Sequence, residues 1–284
     1  MTHRLRYTLL CICTAFAFTA LYALPAHALM NRKLSYAVGT GFYVTHEGHI
    51  LTANHVVANC AGPISVHGRL FVIKAQLLAT DEEHDLALLK IIPSFTVPYV
   101  SVFRPLTRPL KVGEPVIVTG YPSESMNGEF VEFLTGDAKI TYTKSHIGDD
   151  SQFMFTYAAK SGYSGGPVLD AAGNVVGMTA SATCTSSKCM DGFKKTFSMK
   201  ASTVEEVEKL EETIAQHVDT NIASSLPVIY RFLEKNGIPH EESAVMTPPS
   251  SERINEIAQS VANIRCPSEE RSLVESAGVV QTGK

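Results

Sequence analysis

The chain has 284 residues, of which 45% are hydrophobic and 18% are charged. This is enough apolar material for a sizeable core, and the length suits one large domain or two small ones. The formal net charge is −4, and no run of Lys or Arg marks a face that could follow a phosphate backbone. The composition therefore argues against a general nucleic-acid binder.

The first 28 residues have the pattern of an export signal. Arg4 and Arg6 supply a positive start, residues 7–24 form an uninterrupted stretch of apolar and small residues, and Ala26-His27-Ala28 matches the pattern that signal peptidase reads. We therefore expect a signal peptide at 1–28 and a periplasmic or secreted protein. The alternative is an uncleaved membrane anchor, because the stretch is close to the roughly 18 residues that span a bilayer.

Four cysteines follow this segment: Cys60, Cys184, Cys189 and Cys266. In an oxidising compartment an even number of cysteines favours disulfides, and four cysteines allow three pairings. Cys184 and Cys189 enclose a short loop that a disulfide could close, which would leave Cys60 to bind Cys266 and tie the tail to the body. A zinc site is the weaker alternative, because no second Cys or His pair lies nearby at metal-binding spacing.

The region from Ser35 to Ala182 is a series of short apolar runs separated by turn residues. The runs lie at 38–45, 50–53, 71–78, 86–92, 116–121, 130–134, 153–157 and 175–180. They are rich in Val, Ile, Phe, Tyr and Thr, which is typical of an all-β sandwich or barrel. They follow one another too closely for crossover helices, so a parallel α/β sheet is not expected. Four prolines between Pro93 and Val112 indicate an extended linker between two β units.

Helical patterns begin after Ser198. Ser202 and Glu205 form a capping box, and the apolar spacing that follows predicts an amphipathic helix over 203–217. A second helix is predicted over 226–235, where an Asn-Gly pair supplies the stop signal. A short helix at about 252–264 follows a Pro- and Ser-containing linker.

Three segments contain residues that could carry out catalysis. His55 stands at the end of the predicted strand 50–53, and Asp85 stands at the entry to a fully apolar strand. The third segment, Ser161 to Val168, surrounds Ser164 with three glycines. These three segments occur in the chain order His, Asp, Ser.

Peptide hydrolysis explains why these residue types belong together. A Ser hydroxyl is a weak nucleophile until a base takes its proton, and a carboxylate fixes the tautomer of a His that serves as that base. Glycines beside the nucleophile let backbone N–H groups turn toward a developing oxyanion. We assign Ser164 as nucleophile, His55 as general base and then acid, and Asp85 as the residue that orients the imidazole. The N–H groups of Gly162 and Ser164 are the predicted oxyanion hole.

Each of these residues alone has an ordinary structural explanation. A single His after a strand is usually a surface or core residue, Asp85 could cap a strand, and a Gly-rich run could be a tight turn. Their joint occurrence in this order favours a catalytic triad. His46 and His49 flank an apparent hairpin turn and are interpreted as surface residues. No nucleotide or metal motif is present, so we expect no cofactor.

The motifs Thr-Ala-Asn-His55-Val, Asp85-Leu-Ala-Leu-Leu-Lys and Gly-Tyr-Ser164-Gly-Gly-Pro-Val resemble the signatures of the chymotrypsin/trypsin-like serine peptidases. They are most similar to the bacterial high-temperature-requirement (Deg-type) branch. The resemblance covers about 37–182 and resumes near Asn221. It implies two six-stranded antiparallel β-barrels with the active site in the cleft between them.

On this basis we divide the chain into four parts. They are the signal peptide 1–28, an N-terminal barrel with its linker at 34–110, a C-terminal barrel at 111–237, and a linker with a tail at 238–284. The C-terminal barrel would carry the helix 203–217 as an insertion and 226–235 as its closing helix. We expect no PDZ domain after the second barrel, because the pattern there is helix and linker.

The sequence departs from the trypsin-like pattern at two places beside the nucleophile. Tyr163 replaces the Asp that pairs with a freed N-terminus in zymogens, so that mode of activation is not expected. Ala158 aligns with the residue that sets charge selectivity in trypsin, and Met178 and Ala180 align with further parts of the pocket. An uncharged pocket of this kind predicts a small or apolar residue before the cleaved bond, the P1 residue.

The sequence therefore predicts an exported serine endopeptidase that acts on protein or peptide substrates, not on nucleic acid, with no stable membrane insertion after signal cleavage. The alternative is a catalytically idle relative that serves as a binding module or chaperone, since Tyr163 could distort the oxyanion loop. An α/β-hydrolase lipase or esterase is disfavoured, because there the Ser precedes the acid and the His.

Overall fold

The structure, a computed structural model, describes residues 35–69, 71–122, 133–145, 148–157, 161–181 and 220–268. Within these ranges the chain forms twelve strands and three helices, and Tyr36–Ser268 belong to one compact unit. The strands form two closed barrels of six strands each, and the paired strands run antiparallel. This confirms the predicted all-β fold of two six-stranded antiparallel barrels.

The first barrel contains five strands from the N-terminal half of the chain and one from its C-terminal part. They are β1 (Ser35–Tyr43), β2 (His49–Ala53), β3 (Ile64–His67), β4 (Val72–Asp81), β5 (Leu86–Ile92) and β12 (Val261–Ser268). Their order around the barrel is β1-β12-β3-β4-β5-β2.

The second barrel is built from the middle of the chain. Its strands are β6 (Pro115–Gly120), β7 (Leu134–Tyr142), β8 (Gln152–Thr156), β9 (Pro167–Asp170), β10 (Val175–Ser181) and β11 (Thr220–Ser225), in the order β10-β11-β8-β7-β6-β9. Between β5 and β6 lies the Pro-rich segment, which contains no named strand, as predicted.

Two apolar clusters hold these barrels together. One fills the second barrel with side chains such as Val118, Ile140 and Phe155. The other fills the first barrel and continues across its contact with the second barrel, reaching Met178 of β10. Burial of apolar surface therefore stabilises both barrels and the contact between them.

Three helices complete the described part of the chain: α1 (Asn54–Val57), α2 (Leu226–Lys235) and α3 (Ser251–Ser260). The helix predicted over 226–235 is confirmed as α2, which buries one apolar face against the cluster that fills the first barrel. Ser250 caps α3, because its hydroxyl accepts the N–H of Arg253. No helix among the described residues is long and apolar enough to span a membrane.

The predicted tail at 238–284 is wrong for residues 261–268, which form β12 and complete the first barrel between β1 and β3. The helix predicted to reach residue 264 ends at Ser260. The reason for the error is visible in the sequence, because Ile254, Ile257, Val261 and Ile264 keep a helical spacing across the true boundary. Pairing of Ile264 with Val66 of β3 overrides that local pattern.

Of the run predicted at 130–134, residues 130–132 lie outside the described residues, and the described strand runs from Leu134 to Tyr142. The sequence does not predict this strand in full, because its inward residues alternate with Thr135, Asp137 and Lys139 on an exposed face. β3 and β9, with four residues each, were not predicted. Such short strands carry too few residues to show a period.

A disulfide joins Cys60, three residues after α1, to Cys266 of β12. This agrees with the pairing that the sequence left for these two cysteines. The signal segment 1–28, Cys184, Cys189 and the helix predicted over 203–217 lie outside the described residues.

Candidate active site

His55 lies where β2 leaves the first barrel. The buried strand β2 ends at Ala53, and α1 begins at once with Asn54, whose N–H donates to the carbonyl of Asp85 over 3.0 Å. This backbone contact joins the end of β2 to the turn between β4 and β5. The imidazole of His55, half exposed, is thereby held over that turn.

Asp85 binds His55 through both of its carboxylate oxygens. Oδ1 accepts the backbone N–H of His55 at 2.8 Å, and Oδ2 lies 2.7 Å from Nδ1 of the ring. Because an ionised carboxylate can only accept hydrogen bonds, this contact places the proton on Nδ1 and leaves the Nε2 lone pair free to accept one. Asp85 has a φ of +56°, a left-handed conformation that is uncommon for a residue with a side chain and is often found at functional sites.

Ser164 lies in the second barrel, in the loop that leads into β9. Gly165 follows it with a φ of +83°, and a Cβ at this position would overlap the carbonyl oxygen of Thr40. The N–H of Gly165 donates to the carbonyl of Thr179 at 2.7 Å, and Thr179 donates back to Gly166 at 2.8 Å. The loop is thus fixed to β10 on both sides of the glycine pair.

Thr40 connects this loop to the first barrel. Its backbone N–H donates to the carbonyl of Ser164 at 2.8 Å, and its hydroxyl donates to the carbonyl of Gly162 at 2.7 Å. The same hydroxyl accepts the N–H of Tyr121 at 3.0 Å. A fully buried threonine of β1 therefore sets the position of the serine loop across the barrel contact.

The backbone N–H groups of Gly162 and Ser164 donate to no acceptor among the described residues. Gly162 has a φ of +104°, and its carbonyl accepts the Thr40 hydroxyl, which fixes the peptide group between Gly162 and Tyr163. Two unpaired N–H groups on either side of Tyr163 are what an oxyanion requires.

A cavity of about 400 Å³ brings the predicted residues together. Its walls include His55, Gly162 and Ser164, together with the first residues of β1. Within the described part of the chain, no hydrogen bond joins Ser164 Oγ to the imidazole. Catalytic hydrogen bonds are often long in ligand-free sites and shorten when substrate binds.

Tyr163, which replaces the zymogen Asp, is buried inside the second barrel. Its hydroxyl lies 3.2 Å from that of Tyr157, and its carbonyl accepts the N–H of Gly166 at 2.8 Å. Burial and the hydrogen bond with Tyr157 raise the pKa of Tyr163 far above its ordinary value, so the phenol stays neutral. The Tyr163 side chain holds the loop by packing into the core of the second barrel, and it does not line the cavity.

The predicted specificity residues lie in or near β10. Met178 is fully buried in the cluster shared with the first barrel, and Ala180 is buried as well, while Ala158 lies outside the described residues. Thr179 lies between Met178 and Ala180, and its buried hydroxyl has no hydrogen-bond partner among the described residues.

Sequence reasoning missed Thr40, Thr179 and Ser224 as parts of this site. Ser224 Oγ donates to the carbonyl of His84, next to Asp85, at 2.9 Å. The Gly39-Thr40-Gly41 pattern was a usable signal for Thr40, because small residues on both sides permit close approach. The residues around Thr179 and Ser224 form no sequence pattern that would have predicted their roles.

The two histidines of the β1–β2 turn make local contacts. His46 Nδ1 lies 2.6 Å from the carbonyl of Val97, and His49 Nδ1 lies 2.7 Å from Thr45 Oγ1. Across the described ranges, no three His, Cys, Asp or Glu side chains are grouped so that they could hold a metal ion.

Residues 39–178 match the family model of the trypsin-like peptidase domain. Nearly half of the chain is thus similar to this peptidase domain. The matched residues include Thr40, the His55–Asp85 pair and Ser164.

Two curated proteins illustrate the similarity. An uncharacterized protein, y4bJ, of Sinorhizobium fredii (strain NBRC 101917 / NGR234) is 35% identical over 147 residues, which is 51% of this chain and 22% of that protein. A probable periplasmic serine endoprotease, DegP-like, of Chlamydia pneumoniae is 33% identical over 165 residues, which is 57% of this chain and 32% of that protein. The chain thus spans a third or less of the length of these two relatives.

Among solved structures, the active form of the Rv3671c protease from M. tuberculosis is similar, with a TM-score of 0.49 and 19% sequence identity. The match covers 78% of this chain and 88% of that one.

Proposed function

We propose that this protein is an exported serine endopeptidase that cleaves peptide bonds through Ser164, His55 and Asp85. One observation supports this above all: His55 is bound to Asp85 by two hydrogen bonds and shares a cavity with Ser164 and Gly162. The trypsin-like peptidase domain and the DegP-like relatives point to the same reaction class.

In the first step Ser164 Oγ attacks the carbonyl carbon of the substrate. His55 Nε2 takes the hydroxyl proton as the bond forms, and the Asp85 carboxylate stabilises the resulting imidazolium. The oxyanion accepts hydrogen bonds from the N–H groups of Gly162 and Ser164. Each such donor typically lowers the barrier by about 3 kcal/mol.

The tetrahedral intermediate then collapses. His55 gives its proton to the departing amine, and the acyl group stays on Ser164 as an ester. A water molecule enters the cavity, gives a proton to His55 and attacks the ester. In the second collapse His55 gives this proton to Ser164 Oγ, which releases the new carboxyl end and restores the serine hydroxyl.

We assign the cleavage preference to small or apolar P1 residues. The described residues next to the nucleophile, 161–166 and 177–181, carry no charged side chain. A charged P1 side chain would have to leave water without an opposite charge to receive it, which is unfavourable. Ala158 would form an uncharged wall of the same pocket.

Export is the second part of the proposal. The disulfide between Cys60 and Cys266 suits an oxidising compartment. The DegP-like relatives are described as periplasmic. Together with the signal-like segment at 1–28, these observations favour the periplasm or the exterior.

A peptide-library cleavage profile tests the activity and the pocket together. We expect cleavage after Ala, Val or similar residues and at least 100-fold slower cleavage after Lys, Arg, Asp or Glu. The same preparation of Ser164→Ala should be inactive. Cleavage that persists in Ser164→Ala would contradict the mechanism, whereas a preference for charged P1 residues would contradict the pocket alone.

The alternative function, an idle binding module, has one observation in its favour: Ser164 Oγ makes no described hydrogen bond to His55. If this alternative holds, the wild type and the Ser164→Ala variant should bind unfolded polypeptides equally well, and neither should hydrolyse them. An active wild type removes this alternative.

A further inference from the structure

The outer side of the first barrel carries a row of residues that crosses four strands. Strand pairing places Arg265 beside Ser65, Ser65 beside Lys74, and Lys74 beside Ile92. Residues that pair directly across strands project from the same face. Ile91, the neighbour of Ile92, is buried inside the barrel, so this row faces outward.

Four large apolar side chains lie at one end of this row. Ile92 is 48% exposed, Val72 65%, Phe71 40% and Phe95 41%. The two phenyl rings pack edge to face with centroids 5.8 Å apart. These exposures correspond to an apolar patch on the order of 300 Å², the size at which patches on soluble proteins are often functional.

The aromatic pair is held in place by the hairpin between β3 and β4. A Cβ at Gly68 would lie 2.6 Å from Cζ of Phe71, so the ring packs directly on the glycine. The N–H of Gly68 also donates to the carbonyl of Phe71 at 2.9 Å. The exposed ring is therefore fixed on a strand end.

The charge around this patch is mainly positive, although Glu47 of the β1–β2 turn lies beside it. Residues 64–80, 86–99 and 261–268 contain Arg69, Lys74, Lys90 and Arg265 and not one Asp or Glu, although the whole chain has a net charge of −4. Glu47 lies near Lys90. Among the described residues, the other three cations make no ion pair with any carboxylate.

We propose that this outer face, defined by Phe71, Val72, Lys74, Ile92 and Phe95 with Arg69 beside it, docks on a membrane surface rich in anionic lipid. The phenyl rings and aliphatic side chains would enter the interfacial layer, and the cations would contact lipid phosphates. The docking is peripheral, and the barrel does not insert.

Charge and apolar area together select this partner. A second copy of the chain that used the same face would bring its cations against Lys74 and Arg69, which is repulsive. A soluble polyanion would satisfy the cations but leave the apolar patch in water. An anionic bilayer satisfies both features at once.

Vesicle sedimentation provides the test, using the protein purified from exporting cells. We expect binding to vesicles of phosphatidylcholine with a quarter phosphatidylglycerol and at least tenfold weaker binding to phosphatidylcholine alone. Lys74→Gln, which changes only an exposed side chain, should weaken binding to the anionic vesicles about fivefold at low salt and less at high salt. The double variant Phe71→Ser/Phe95→Ser should weaken it at least tenfold.

Tyr142→Ser and Lys139→Gln are the matched controls, because both residues are exposed on the second barrel. They should bind like wild type, and thermal melts should show that all variants are folded. Equal binding to both vesicle types, which an uncleaved segment 7–24 would give, or binding unchanged in Lys74→Gln, would overturn the proposal. So would a lipid-free dimer in sedimentation velocity that the phenylalanine variants dissociate.

Discussion

The two barrels contribute to the candidate active site in different ways. In the first barrel, His55 after β2 and Asp85 before β5 are joined to each other where these two paired strands meet, and both their side chains and backbones take part. In the second barrel, Ser164 lies on a loop whose position depends on Thr40 of the first barrel. The His55–Asp85 pair therefore forms within one barrel, with support from Ser224 of β11 at the neighbouring His84, whereas the serine loop is bound directly by the opposite barrel.

The largest loss of activity is expected when the His55–Asp85 pair is changed. Asp85→Asn should lower kcat about 10⁴-fold, because an amide in place of the carboxylate favours the wrong imidazole tautomer. Steady-state kinetics on a peptide substrate measures this. Asp81→Asn is the matched control, since Asp81 binds His84 Nδ1 at 2.8 Å in the same way but outside the cavity. Equal losses in both variants would contradict the assigned role of Asp85.

Adding a single methyl group to the Ser164 loop where it meets the first barrel should lower both stability and activity. Gly165→Ala would meet the Thr40 carbonyl and also strain a φ of +83°, so we expect a loss of stability of about 3 kcal/mol and loss of activity. Gly113→Ala is the control, because Gly113 has a φ of +82° with nothing near its Cβ position, and should cost roughly 1 kcal/mol. Denaturant unfolding measures both, and similar values would show that crowding at Thr40 is unimportant.

Thr40→Val tests the dependence between the barrels with less disruption. The variant keeps the shape of the side chain and removes the hydroxyl that binds Gly162 and Tyr121. We expect a loss of about 1–2 kcal/mol in stability and about tenfold in kcat/KM, because the loop that carries Ser164 and the oxyanion N–H groups is less well held. Thr119→Val, whose hydroxyl binds Pro167 within the second barrel, should lose stability with a smaller loss of activity.

The smallest expected effect is on the pH dependence of stability, and it comes from His67 of the first barrel. Burial, with the nearby Arg265, lowers the pKa of His67 from 6.5 to about 4. Between these values the unfolded chain binds more protons than the folded one, so stability is full above about pH 6.5 and falls as the pH falls toward 4. In His67→Gln, the loss of unfolding free energy between about pH 6.5 and pH 4 should be smaller than in the wild type. The difference should be at most about 1 kcal/mol, because solvent screens this partly exposed group.

Thermal melts from pH 4 to 7 measure this slope. His46→Gln, on the surface of the same barrel, serves as the control. An unchanged slope in His67→Gln would show that other groups cause the acid sensitivity.

The sequence predicted the parts of the site that short segments determine. His55, Asp85 and Ser164 each stand in a run of a few residues that defines both a turn and the adjoining strand. The bounds of β5 and α2 were predicted for the same reason, because a continuous apolar run and a Gly stop signal are local features.

What the sequence could not predict depends on contacts between distant residues. β12 joins the first barrel about 200 positions after β3, and its own residues continue a helical spacing. The role of Thr40 exists only because β1 packs against the serine loop, and Thr179 matters only because β10 pairs with that loop. No single stretch of chain contains this information.

Reaction with a fluorophosphonate, followed by mapping of the modified residue by mass spectrometry, tests the central claim most directly. We predict one adduct per chain on Ser164, no labelling of Ser164→Ala, and much slower labelling of Asp85→Asn, since His55 would no longer be held as a base. A protein that hydrolyses peptides but carries the adduct elsewhere, or that never reacts at Ser164, would contradict the account.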